Sequence, residues 1–210
     1  GGPVARVACG GPGLRRLAQA QRVPRVARLA ATSPREVTRL ISTSKSAPAI
    51  LSVLEQELGG VHFGYVQVSA ALHRLAVRPR TITSKVRRSP VLADFFRRAK
   101  GALAEGDMDA RGTANMIWAT ANLQKVLPET LELLPLLIEL TIFTAGEMDI
   151  QALSNVFWAI AKLRSAAPEM KRLVPVLTDM IIDRADDAVP QALANVLWAV
   201  ATMHGEVPEA

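Results

Sequence analysis

Cysteine is almost missing from this chain, and so are most other residues that carry out chemistry. A single Cys9 rules out an intrachain disulfide and any thiolate cluster. The three histidines, His62, His73 and His204, fall at no metal-ligand spacing and read as helix-surface or helix-end residues, so neither metal nor cofactor is expected. Only 4% of the residues are aromatic, and no stretch alternates with period two over β-branched residues, which leaves sheet structure little support. The longest apolar run, Leu133 to Phe143, is too short for a bilayer and holds Glu139, so a soluble chain without a membrane partner is expected. There is no nucleophile–base pair and no glycine-rich phosphate cradle. The chain is therefore not expected to be an enzyme or to take a small-molecule substrate.

Acidic residues are scarce in the first half. Residues 1–106 hold 18 Lys and Arg against five Asp and Glu, whereas residues 107–210 hold seven against 14. A half carrying +13 beside one carrying −7 points to a polyanion partner, with RNA the first candidate, and leaves the acidic half for neighbouring proteins. Arg6, Arg15, Arg16, Arg22, Arg25, Arg28 and Arg35 all precede the first acidic residue, Glu36. An Arg-rich leader without acid looks like a mitochondrial or plastid transit peptide. The alternative is a retained basic tail.

What the chain has in abundance is repetition. Asn115-Met116-Ile117-Trp118-Ala119-Thr120-Ala121 returns as Asn155-Val156-Phe157-Trp158-Ala159-Ile160-Ala161 and as Asn195-Val196-Leu197-Trp198-Ala199-Val200-Ala201. Trp118, Trp158 and Trp198 are the only tryptophans, spaced by 40 residues, and Pro128, Pro168 and Pro208, each followed by Glu, keep the same period. A fixed period of this size marks one supersecondary unit stacked on copies of itself. The expected fold is an all-α, right-handed α-solenoid of helix-turn-helix repeats with a basic, mostly irregular N-terminal extension.

Three regions follow: 1–45, the extension; 46–88, a degenerate first repeat and basic linker; 89–210, three regular repeats and the start of a fourth. Pro48 opens one helix, closed by Gly59-Gly60, and a second runs from about Gly64 to Val77, with Ala70 aligned in the tryptophan's place. Ser89-Pro90 opens the regular array, and Asp109 and Asp149 are N-cap candidates. Each unit reads as a helix A, a turn and a helix B. Pro135 and Pro175 fall inside helix A, where they mean either a kink or a later start. Helix B is apolar over more than one stripe, as a helix packed on two sides must be. Trp118, Trp158 and Trp198 are expected to be buried between repeats. Asn115, Asn155 and Asn195, one turn earlier, are expected to bond the backbone of an adjacent turn or else to meet an RNA base. Phosphate contacts are assigned to Arg15, Arg16, Arg22, Arg25, Arg28, Arg80, Lys85, Arg87, Arg88, Arg97, Arg98 and Lys100.

The segments Pro190-Gln191-Ala192-Leu193-Ala194-Asn195-Val196-Leu197-Trp198-Ala199-Val200-Ala201 and Gln151-Ala152-Leu153-Ser154-Asn155-Val156-Phe157-Trp158-Ala159-Ile160-Ala161 resemble the core of the octotricopeptide repeat family. The match extends over about residues 89–205; Arg111-Gly112-Thr113 departs from it in the first copy, and the period of 40 is slightly longer than the family's. The resemblance implies a non-catalytic organellar RNA-binding protein. It would act in RNA processing, stability or translation, or stand in a mitochondrial ribosome on rRNA. A protein-interaction scaffold of HEAT or armadillo type is the alternative.

Overall fold

The computed structural model describes residue 31 and residues 33–204, and within them every regular element is helical. In chain order the α-helices are α1 (Pro34–Thr43), α2 (Ala47–Glu57), α3 (Tyr65–Ala76), α4 (Ser84–Arg87), α5 (Pro90–Ala104), α6 (Ala110–Leu123), α7 (Leu134–Thr144), α8 (Ile150–Leu163), α9 (Val174–Asp183) and α10 (Pro190–Thr202).

Local chemistry sets their ends. Asp109 accepts from the Gly112 amide at 2.6 Å and Asp149 from the Ala152 amide at 2.7 Å, so both are N-caps as expected. Ser46 caps α2, and Pro190 takes the first turn of α10. Gly106, at φ 79°, reverses the chain after α5, a backbone conformation that suits glycine. Pro128–Leu133 forms a 3-10 turn that leads into α7, and Pro168–Leu173 does the same before α9. Pro135 and Pro175 therefore stand in the first turns of their helices, where a missing N–H costs nothing. The helices start there and are not kinked.

Two layers result. Helices α1, α3, α6, α8 and α10 lie side by side in the first, and α2, α5, α7 and α9 form the second. Each second-layer helix rests chiefly on the first-layer helix that precedes it: α2 on α1, α5 on α3, α7 on α6 and α9 on α8. The packed pair is thus helix B with the helix A that follows. A tight turn makes this possible, since the Val126 and Leu127 amides both reach the Leu123 carbonyl (2.8 and 2.7 Å) and send the chain straight back. The wide apolar faces account for the rest. On α8, Leu153, Val156, Phe157, Ile160 and Ala161 are all buried between α6, α9 and α10. Buried Ala119, Ala121, Ala159 and Ala161 allow the close approach of adjacent first-layer helices. On α10 the same face stays open: Leu197 is 69% exposed, because no described helix follows it.

Two segments of the basic half carry structure that was not expected of them. The extension is not irregular throughout, because Pro34–Thr43 is helical with Val37 and Ile41 fully buried. Ser33 caps it by accepting from the Glu36 amide at 3.3 Å, a Ser-Pro-x-Glu start hidden among arginines. The basic linker is ordered as well, with a 3-10 turn at Pro79–Thr81 whose Thr81 hydroxyl accepts from the Ala47 amide at 2.8 Å.

Candidate nucleic-acid interface

Helix α6 is buried almost all round, and its less buried positions are Arg111, Asn115, Trp118 and Asn122. These fall at i, i+4, i+7 and i+11, which is one stripe along a helix. The stripe faces away from the second layer. Gln151, Asn155, Trp158 and Lys162 form the matching stripe on α8, and Gln191, Asn195, Trp198 and Thr202 the one on α10. On α3 it is Val66, Ala70, His73 and Val77.

Rows cross these stripes. The Trp158 and Trp198 rings lie 5.7 Å apart at 38°, and His73 meets Trp118 at 5.3 Å and 32°. Lys162 Nζ stands 4.3 Å from the Trp158 ring centre and donates to Asn122 Oδ1 at 2.7 Å on the neighbouring helix. Asn155 Oδ1 accepts from Asn195 Nδ2 at 2.9 Å and from Gln151 Nε2 at 3.1 Å, while Gln191 Nε2 donates to Asn195 Oδ1 at 3.1 Å. One face of the first layer therefore carries two tilted ring pairs, His73–Trp118 and Trp158–Trp198, and the linked amides of Asn155 and Asn195.

This corrects three expectations. The indoles are not sealed between repeats: Trp118 and Trp158 are half-buried and Trp198 is 44% exposed. They cover the seams between first-layer helices, while Met116, Ile117, Val156 and Phe157 fill the interior behind them. The amides of Asn155 and Asn195 bond to each other and to a glutamine one turn back, not to backbone. His73, and not Ala70, stands opposite Trp118. Gln67, three residues before Ala70, is buried and bonds the Gly64 amide (2.9 Å), the Pro34 carbonyl (3.0 Å) and the Thr38 hydroxyl (3.0 Å). The short α4 between α3 and α5 lengthens this copy and shifts its register.

The electrostatics of the face follow from partial burial. Desolvation lowers the His73 pKa below its ordinary value, and neighbouring Arg74 lowers it further, so the ring is neutral at neutral pH. Lys162 is also lowered, first by burial and then by Lys125. The Arg74 Nε donates to the Ser44 carbonyl at 2.7 Å. Asp109, the carboxylate nearest this face on α6, is engaged in capping.

The residues assigned to phosphate contact are distributed otherwise. Arg15, Arg16, Arg22, Arg25 and Arg28 lie outside the described residues. Arg80, Lys85, Arg87 and Arg88 are exposed on the linker, which packs on α2 beside the second layer. On α5, Arg97 pairs with Asp94 at 2.7 Å, Arg98 donates to the Phe63 carbonyl at 2.7 Å with Glu105 3.8 Å away, and Lys100 pairs with Glu132. These three make contacts within the protein while their side chains stay partly exposed, Arg97 most of all. The basic residues that do reach the ring-and-amide face, Arg74, Arg111 and Lys162, were not in the assigned set. Reading the 40-residue phase outward from Asn and Trp would have found the last two.

Among the described residues no group of three His, Cys, Asp or Glu could hold a metal ion, and no helix is long and apolar enough to cross a membrane. Compared with family models, curated proteins and solved structures, the chain matches none of them. The functional reading therefore rests on the residues themselves.

Proposed function

We propose that this chain is a non-catalytic RNA-binding protein, a right-handed α-solenoid with a period near 40 residues that takes single-stranded RNA along its first-layer face. The observation that carries the reading is the pair of rings formed by half-buried Trp158 and exposed Trp198 beside the Asn155–Asn195 amides. Unpaired bases stack on such rings for about 1–3 kcal/mol each, and amides offer both a donor and an acceptor to a base edge. Lys162 and Arg111 on the same stripes supply phosphate contacts. The acid-free, Arg-rich residues 1–35 support an organellar setting, mitochondrial or else plastid, where the chain serves RNA processing, stability or translation, or stands on rRNA in a mitochondrial ribosome.

Ultraviolet crosslinking of a 12-nucleotide single-stranded RNA, about the length one such site spans, followed by peptide mapping, tests the location. Crosslinks on α8 and α10 are expected. Crosslinks confined to residues 78–88 would move the contact to the basic linker. No crosslink at low salt would refute RNA binding. A protein scaffold is the second reading, favoured by the open apolar face of α10, with Leu193 49% and Leu197 69% exposed.

A further inference from the structure

The first-layer face opens into a groove at its α1 end. Between α1, α3 and α6 lies a groove of about 620 Å³, lined among others by Thr38, Tyr65, Ala70, Arg74, Arg111 and Asn115. Its size falls within the range of small-ligand sites. Departures from the repeat pattern create it. Ala70 on α3 stands where α6, α8 and α10 carry asparagine, so the amide row ends and leaves space. Asn115 has no side-chain hydrogen bond among the described residues, to α3 or to Asn155, whereas Asn195 donates to Asn155. Arg111 replaces the glutamine found at 151 and 191, and its guanidinium likewise has no partner among the described residues.

We propose that this groove holds one nucleotide of the bound strand, with its base edge on the Asn115 amide and its phosphate on Arg111 and Arg74. The proposal rests on the RNA-binding reading and adds to it a defined position for one base. The chemistry is complementary. An open amide presents both a donor and an acceptor to a base edge. Two guanidiniums are fit for phosphate, and Arg74 is held by its Nε on the Ser44 carbonyl, which leaves its terminal nitrogens for a ligand. The one carboxylate lining the groove, Asp109, already accepts from the Gly112 amide. Ser69 Oγ donates to the Gly112 carbonyl at 3.4 Å, tying the α3 wall to α6, so the groove keeps its width. On α8 and α10 the amides are already bonded to one another, so a base there must compete with those bonds. Here it meets an unused amide.

Fluorescence anisotropy with labelled 12-nucleotide homopolymers of U, A, C and G decides the matter, the length again being about that of one single-strand site. Ala70→Leu fills the groove from a partly exposed position and should weaken binding by about tenfold, with the thermal transition unchanged. Arg111→Gln should lower the slope of log affinity against log salt by about 0.7, the single-strand value for one phosphate. Asn115→Ala should narrow the spread of affinities among the four homopolymers. If the wild type binds and Trp158→Ala weakens it while the three groove variants behave as wild type, the groove proposal fails and the RNA reading stands. If the wild type binds none of the four oligomers, both fail. If free UMP or AMP at millimolar concentration binds in an Ala70-dependent way but the strand is indifferent to Ala70→Leu, the occupant is a free nucleotide and the strand proposal is overturned.

Discussion

The paired rings of Trp158 and Trp198 allow a test of how one repeat supports the next. Trp198 is 44% exposed, so somewhat over half of its surface is covered. A fully buried tryptophan removes up to about 250 Å² from water, which at about 25 cal/mol per Å² puts the covered part at roughly 2–3.5 kcal/mol as an upper bound. Trp198→Ala should therefore cost about 2 kcal/mol. Trp158 is more covered, packs against the core, faces Trp198 at 5.7 Å and carries Lys162 at 4.3 Å from its ring centre. Its loss should cost about 3–4 kcal/mol, toward the value for a core aromatic. Because the rings touch, the double variant should lose less than the sum of the singles, by about 0.5–1.5 kcal/mol. Urea unfolding of the wild type, both single variants and the double variant closes the cycle, provided the slopes stay constant. Equal or reversed single losses, or a coupling below about 0.3 kcal/mol, would refute the nearest-neighbour account of this face.

Two glycines should respond oppositely to alanine. Gly106→Ala should lose about 1–2 kcal/mol from its φ of 79° alone, as nothing lies within 4 Å of the added Cβ. Gly112→Ala should instead gain about 0.5 kcal/mol from helix propensity. Its Cβ meets Asp109 Oδ1 at 2.8 Å and Met108 Cγ at 3.3 Å, but Ala152 holds the same place after Met148 and Asp149 with a 2.7 Å cap bond, so both side chains can shift. Thermal melts of both variants decide, and a loss above about 1 kcal/mol for Gly112→Ala would mean that α6 needs glycine there. Stability should also fall with pH around His73, whose folded pKa lies below its ordinary 6.5. The unfolded chain takes up its proton near 6.5 while the folded ring resists, so stability present above that pH is lost as pH falls through the folded value. The melting temperature of the wild type should drop more steeply from pH 7 to about 5 than that of His73→Gln. Parallel curves would dismiss the coupling.

Short-range signals made much of the helical order legible. Asp109 and Asp149 before their helices, Pro48 in the first turn of α2 and Ser89-Pro90 at the start of α5 act within a few residues of themselves, so they read correctly without knowledge of the fold. The Ser33 cap was just as local but passed unread, because the arginines around it suggested a tail. The candidate site was half legible. The recurrence of Asn and Trp marked α6, α8 and α10, whereas His73 was misplaced by three residues, since the insertion of α4 breaks the phase that the alignment relied on.

Sequence by itself determined most of the long helical segments after residue 45, where most of them begin, and that the same helix is used three times, for these are properties of neighbouring residues and of their period. Tertiary structure decided exposure and partnership. Whether an indole is sealed or laid over a seam depends on which helix lies beside it. The position just before each tryptophan illustrates the point: Phe157 is buried, while Leu197, in the same place of the pattern, stands 69% exposed. Whether an arginine is available depends on distant groups too: Arg98 is held by the Phe63 carbonyl, 35 residues away, and Arg111 by nothing among the described residues. Burial and pairing are sums over neighbours in space, and a repeat unit does not encode who its neighbours are.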